Sequence, residues 1–240
     1  MFILEFFFIS FLIYFQSIFG IGLLLLGTPT LLLFGYNFLV TLSILLPISI
    51  VISAIQFFSS PVRNKKFRYN FNFFCLPFLI LSLYFIIKNF DKINLELYIS
   101  ILIIFFSVMS LNKKNIKYFK DFTLLKQRIF LSIIGVVHGL TNLGGPLLTI
   151  LSSVISNQDK NKIRYFIAYG YLIMGIIQLL VLSFFSVKSL DNINLIYIAL
   201  VFLIYFPAQK KFNNFNSKNF SNYLNISALI YGVIILLKNI

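Results

Sequence analysis

Long apolar runs alternate with short polar links along the whole chain. The first run, residues 2–58, is interrupted by Gly20 and Gly22, by Gly27, Thr28 and Pro29, and again by Gly35, Tyr36 and Asn37. As one helix it would be about 85 Å long, more than two membrane thicknesses, so it must fold back. A basic link with Arg63, Lys65, Lys66 and Arg68 precedes an apolar span over about 71–87. The next link is charge-balanced, Lys88 and Lys92 against Asp91 and Glu96, and a short span over about 97–111 follows. A second basic link carries Lys113, Lys114, Lys117, Lys120, Lys126 and Arg128, with Asp121 opposing. The layout then recurs: a broken apolar run over 129–155, a polar link with Asp159, Lys160, Lys162 and Arg164, and a span over about 165–187. A balanced link with Lys188 and Asp191, a span over 195–208, a basic link with Lys210, Lys211 and Lys218 and a last span over 223–237 complete it.

This pattern predicts an all-α, polytopic membrane protein of two repeated halves. Each half has a broken or re-entrant helix pair followed by three transmembrane helices. The chain forms a single membrane domain over residues 1–240, with a first repeat over 1–111, a cytoplasmic linker over 112–128 and a second repeat over 129–240.

The chain turns on the interruption at residues 135–146, Gly-Val-Val-His-Gly-Leu-Thr-Asn-Leu-Gly-Gly-Pro. A bilayer offers backbone amides and carbonyls no water, so unwound backbone survives there inside protein or beside a wet cavity. A weaker copy of this break lies near Gly20 and Gly22. The pairs Gln16 and His138, Gly20 and Asn142, Gly22 and Gly144, and Gln56 and Gln178 all share a separation of 122 positions. Internal repeats with broken helices are a signature of secondary transporters, whose substrate sites lie at the repeat interface near the midplane.

Loop charge bears on the topology. If every apolar run crossed once, the basic links after residue 111 and around Lys162 would face opposite sides, against the positive-inside rule. If the broken runs, 2–34 and 129–155, enter and leave by one face as hairpins, all four basic segments become cytoplasmic and the balanced links external. Each half then crosses three times, and the halves are inverted.

Composition agrees with a membrane protein: 60% of residues are apolar, 11% are charged and the mean hydropathy is +0.96. Soluble domains carry roughly 25% charged residues. The net charge of +14 sits almost entirely in the links, where it fixes topology and meets anionic lipid, so no nucleic-acid partner is expected. Cys75 is the one cysteine and lies in an apolar span, which excludes an intrachain disulfide and makes it a poor zinc ligand. The N-terminus has neither a positive n-region nor a small-residue cleavage site, and is expected to be mature structure. No phosphate-binding Gly-x-x-x-x-Gly-Lys-Ser/Thr loop occurs, so ATP is not the expected energy source, and no cofactor is implied.

The glycine-rich stretch of each half, followed by a Leu-rich helix, resembles the TauE/SafE family of sulfite and organosulfur-anion permeases. In the second copy Gly135, Gly139, Gly144 and Gly145 take the glycine places of Gly-x-x-x-Gly-x-x-x-x-Gly-Gly, while Asn142 replaces another glycine. The first copy keeps Gly20 and Gly22 and has Leu23 and Leu24 where further glycines stand in the family. The resemblance implies a multi-pass protein of a bacterial inner membrane that moves sulfite, sulfonates or related anions.

The chemistry of the breaks suits an anion. Glu5 lies near the end of a run and the remaining acidic residues lie in links, so the intramembrane carboxylates typical of cation pumps are not expected. Helix starts near Gly22 and Gly144 would present unpaired amides and about half a positive charge each. The expected substrate-binding set is Gly20, Gly22, His138, Thr141, Asn142, Gly144, Gly145, Gln56 and Gln178. Each has a plainer reading. Gly135 and Gly139 equally suit a close helix contact, His138 a buried structural hydrogen bond, and Gln56 and Gln178 interhelical hydrogen bonds. Two alternatives to a carrier remain: a non-transporting scaffold or assembly subunit, and an intramembrane enzyme using His138 as base. The latter lacks a buried carboxylate to orient the base.

Overall fold

The computed structural model describes residues 2–89, 126–156, 159–185 and 193–214, together with single positions between 97 and 108 and between 230 and 237. Among the described residues the chain is all helix and turn, with no strand. The expected spans over 97–111 and 223–237 lie outside the described residues apart from those single helical positions. So do most of the linker over 112–128 and the link at 188–191.

The first apolar run is a broken pair, α1 (Phe2–Phe19) and α2 (Leu23–Leu33), followed by α3 (Phe38–Ser59). Asn37 caps α3, its side chain accepting the Val40 amide at 2.9 Å. Next come α4 (Lys65–Phe74) and α5 (Leu76–Asn89). They run on through Cys75, because the Cys75 amide still reaches Phe71 O at 2.9 Å and the Leu79 amide reaches Cys75 O at 3.0 Å. The central run is a second broken pair, α6 (Gln127–Thr141) and α7 (Gly145–Ile155), followed by α8 (Lys160–Phe185) and α9 (Leu195–Asn214).

Four helical stretches are long and apolar enough to cross a membrane: Phe38–Ser59, Lys65–Asn89, Lys160–Phe185 and Leu195–Asn213. Three start or end in what reads as polar link in the sequence. Capping explains two of these starts. Asn64 accepts the Phe67 amide, drawing Lys65, Lys66 and Arg68 into the first turns of α4. Asp159 Oδ1 accepts the Asn161 and Lys162 amides, so α8 begins at Lys160 and carries Arg164 inside it.

Helices α3 and α8 pack along one another at the centre. The broken pairs flank them, α2 against α3 and α7 against α8, while the outer member of each pair packs elsewhere, α1 on α9 and α6 on α5. Leu23 to Leu32 are all buried, as an all-round apolar helix at a bundle centre must be. Lipid is as apolar as leucine, so close approach and hydrogen bonds hold such a bundle together more than exclusion from water does. At Gly135 and Gly139 a Cβ would collide with Cys75 O and Ser82 Oγ of the facing helix. These two glycines therefore make the close α5–α6 contact, the plainer of their two readings. Large apolar side chains at Phe7, Phe58, Phe184, Leu203 and Phe206 point outward, as a lipid-facing surface requires.

Candidate functional site

The second break spans residues 142–144. Asn142 ends α6 in the left-handed region at φ 63°, which Asn tolerates better than most residues, and its amide reaches His138 O at 2.8 Å. The Thr141 hydroxyl donates to Val137 O at 2.7 Å and accepts the Leu143 amide at 3.3 Å. The Gly144 amide donates to His138 Nδ1 at 3.1 Å, and His138 Nε2 lies 3.1 Å from Gln178 Oε1. Because Nδ1 accepts an N–H, the proton of the neutral ring sits on Nε2, which donates to Gln178. His138 and Gln178 are both fully buried, and Gln178 Nε2 has no partner. A Cβ at Gly145 would collide with the Tyr171 hydroxyl, itself buried and unpartnered.

The first break spans residues 20–22 and matches the second in its hydrogen bonds, although Gly22 stands at φ 127° where Gly144 is right-handed at φ -67°. Gly20 has φ 77° and its amide reaches Gln16 O at 2.7 Å, as Asn142 reaches His138 O. The Leu26 amide reaches Gly22 O at 2.8 Å, and the Leu148 amide reaches Gly144 O at 3.0 Å. The helix limits Phe19 and Thr141, Leu23 and Gly145, Leu33 and Ile155, and Phe38 and Lys160 are each 122 positions apart, the separation read in the sequence. Gln56 Nε2 donates to Gln16 O at 3.0 Å and Ser17 O at 3.2 Å, so Gln56 meets the end of α1 as Gln178 meets the end of α6. Gln16 in turn donates to Ser49 Oγ at 3.1 Å and Ser53 Oγ at 3.3 Å. The side-chain oxygens Gln16 Oε1 and Gln56 Oε1 are buried without partners.

One hydrogen bond ties the second break to α2. Asn142 Nδ2 donates to Thr28 Oγ1 at 3.0 Å, resting the second break on α2, and leaves Asn142 Oδ1 buried and unpaired. Both inner helices begin without a side-chain cap. The amides of Leu23, Leu24 and Leu25 have no acceptor among the described residues, and neither do those of Gly145 and Leu147. Leu23, Leu24, Leu25 and Leu147 are at most 4% exposed. Buried helix starts lacking partners concentrate donors and positive dipole at one place, which is how proteins hold anions without a formal charge.

The expected site residues thus fall in two clusters. Gly20, Gly22 and Gln56 gather at the first break; His138, Thr141, Asn142, Gly144, Gly145 and Gln178 gather at the second. One amide expected to be free is not, because His138 occupies that of Gly144; the neighbouring Leu143 amide is taken by Thr141.

Three residues depart from the sequence reading. Tyr171 lies against Gly145 without a signal of its own in the sequence. Glu5, expected near the end of an apolar run and not deep within one, is 6% exposed and accepts the hydroxyls of Tyr36 at 2.7 Å and Tyr197 at 3.0 Å. Tyrosine donors from the α2–α3 turn and from α9 make that burial tolerable. Arg164, expected in a solvated link, is 9% exposed inside α8 and donates to Ser17 O at the end of α1 at 3.1 Å. Its guanidinium faces the negative end of the α1 dipole, which offsets part of the cost of burial.

A model of the family described as sulfite exporter TauE/SafE matches residues 6–234, nearly the whole chain. The chain belongs to the TauE/SafE family. It is therefore a multi-pass membrane protein of a transporter family, and its membership agrees with the apolar helices and with breaks rich in amide donors. No curated protein and no solved structure matches it.

Proposed function

We propose that this protein is a secondary carrier of small anions of the sulfite, sulfonate or carboxylate class, working by alternating access in a bacterial inner membrane. The observation that carries the proposal is the pair of buried, uncapped helix starts, at Leu23 and Gly145, that the breaks create. A solute with negative oxygen would accept these amides where no water can.

The two halves are read as inverted repeats. The shared separation of 122 positions in helix limits and capping hydrogen bonds supports duplication. Inversion rests on the charge of the links, which places every basic segment on one side when the broken pairs are hairpins. At 1.5 Å per residue an eleven-residue α2 or α7 is about 16 Å long, roughly half a 30 Å core, so neither inner helix would cross by itself and each break would lie within the bundle. The exchange of outer helices between halves would let one half rock against the other about the α3–α8 contact while the breaks stay in place.

Uptake into proteoliposomes containing the purified protein tests this, with sulfite, thiosulfate, alkanesulfonates and carboxylates offered in turn. Saturable uptake of at least one, competed by the others, is the expected result. Protein that folds and inserts but moves none of them would leave a non-transporting scaffold as the better reading.

A further inference from the structure

At the first break a buried cation stands beside unpaired polar atoms. Arg164 is 9% exposed, and Nη2 donates to Ser17 O at 3.1 Å, Tyr205 Oη at 3.2 Å and Gln209 Oε1 at 2.7 Å. The guanidinium carbon also lies 4.1 Å from the centre of the Phe212 ring. Every one of these partners is formally neutral, and no carboxylate among the described residues pairs with Arg164. Nε is buried and has no partner at all. An unpaired charge inside a membrane bundle is costly and marks an ion pathway or a missing counter-ion.

The surroundings indicate what is missing. Arg164 and Gln56 converge on Gly20, where a Cβ would stand 3.8 Å from both Arg164 Cγ and Gln56 Oε1. Both side chains also donate to Ser17 O. Gln56 is 4% exposed and its Oε1 has no donor; its amide nitrogen is fixed on the carbonyls of Gln16 and Ser17, so the oxygen cannot be exchanged for it. The unpartnered amides of Leu23 to Leu25 follow three residues after Gly20. One end of this cluster lacks a negative acceptor and the other lacks an X–H donor.

We infer that Arg164, Gln56 and the start of α2 form the anion subsite of the proposed carrier, selective for a monoanion that retains a hydrogen-bond donor, such as hydrogen sulfite. The inference rests on the carrier reading above. The negative oxygens face Arg164 Nε and the α2 amides, while the retained O–H donates to Gln56 Oε1. A dianion would leave Gln56 Oε1 unpaired and set a second negative charge against it. The position matching Arg164 in the other half is the fully buried Leu42, so the charge belongs to the first break. The second break supplies neutral donors and acceptors.

Equilibrium binding of radiolabelled sulfite to the full-length protein in detergent tests the inference, across the pH interval in which sulfite gains its proton. Thermal unfolding is read on the same samples. The expected wild-type affinity is constant when expressed per hydrogen sulfite. Arg164→Gln should weaken binding by about tenfold or more, the worth of a charge-assisted hydrogen bond, with Arg164→Lys intermediate. Gln56→Glu supplies the missing counter-charge within the chain, so it should raise the unfolding temperature and abolish binding. Gln56→Leu should remove the preference for the protonated anion. If Arg164→Gln and Gln56→Glu both bind as wild type, with only the unfolding temperature changed, Arg164 merely caps α1 and the inference is overturned. Wild type that binds sulfite in this way but moves none into vesicles would keep the subsite and refute the carrier reading. Wild type that binds no anion would refute both.

Discussion

His138 Nδ1 accepts the amide hydrogen of Gly144 at 3.1 Å, so the last turn of α6 holds the residue that caps the start of α7. The ring does this only while Nδ1 is unprotonated, and its Nε2 proton is already directed at Gln178. His138 is thus a clamp on unwound backbone. Replacing it with leucine leaves the Gly144 amide and Gln178 Oε1 buried and unpaired, at a cost of about 1–3 kcal/mol each. His138→Asn, whose short amide can still offer an acceptor near Nδ1, should keep more stability than His138→Leu in detergent thermal unfolding. Because the neutral ring is the structural form, the pH profile of uptake should be the same in His138→Gln as in wild type. A profile flattened by that substitution would make His138 a proton carrier.

Asn142 serves the break twice, through its left-handed backbone and through its bond to Thr28 at 3.0 Å. Asn142→Gly keeps the backbone and loses the bond. Asn142→Leu loses both, adding about 1–2 kcal/mol of backbone strain, and should abolish uptake while leaving protein in the membrane. A double-mutant cycle with Thr28→Val should give a coupling of about 0.5–1.5 kcal/mol. Coupling near zero would mean that the bond does not hold the second break to α2.

Gly145 is fixed by the Tyr171 hydroxyl, which occupies the space a Cβ would need. Gly145→Val should abolish uptake, and Gly145→Ala should lower the unfolding temperature. Tyr171→Phe removes the oxygen that collides, so the double variant should recover part of the stability lost in Gly145→Ala. No recovery would mean that the backbone, and not the tyrosine, enforces glycine there.

Inverted hairpins place the links at Lys114 and Lys162 on the same side of the membrane. Reporter fusions at these two positions should both read cytoplasmic. Opposite readings would require each broken run to cross once, and the halves to be parallel.

The breaks at Gly20–Gly22 and at Asn142–Gly144 were legible in the sequence, because glycine inside an apolar run weakens the helix that its hydrophobicity would otherwise continue. Gly27, Thr28 and Pro29, expected to interrupt the first run as well, instead lie inside α2, where burial on all sides outweighs their poor helix propensity. The 122-residue register read from four residue pairs reappears in the helix limits and in the bonds Gly20–Gln16 and Asn142–His138. Helix starts were read less well. Asn64 and Asp159 drew lysines and arginines into α4 and α8 that pattern alone assigns to solvated links. A cap acts over three residues, whereas a hydropathy run averages over about twenty.

The roles of individual polar groups needed the fold. Gly135 and Gly139 were equally consistent with packing and with a site until α5 was found against them, and the structural hydrogen bonds already favoured for His138 could be assigned to Gly144 and Gln178 only from the fold. Glu5 looked peripheral and Arg164 solvated; tyrosines about 30 and 190 residues distant bury the first, and the end of α1 receives the second. The order of apolar and polar residues by itself determined that this chain crosses a membrane and that its first and central runs are broken near Gly20–Gly22 and Asn142–Gly144, since both follow from local backbone and solvation chemistry. That α2 continues through Gly27 and Pro29 was decided by its packing. Which buried polar atoms remain without partners was decided by tertiary structure alone, because a hydrogen bond is satisfied by whatever the fold brings within about 3 Å, however far away it lies in the chain.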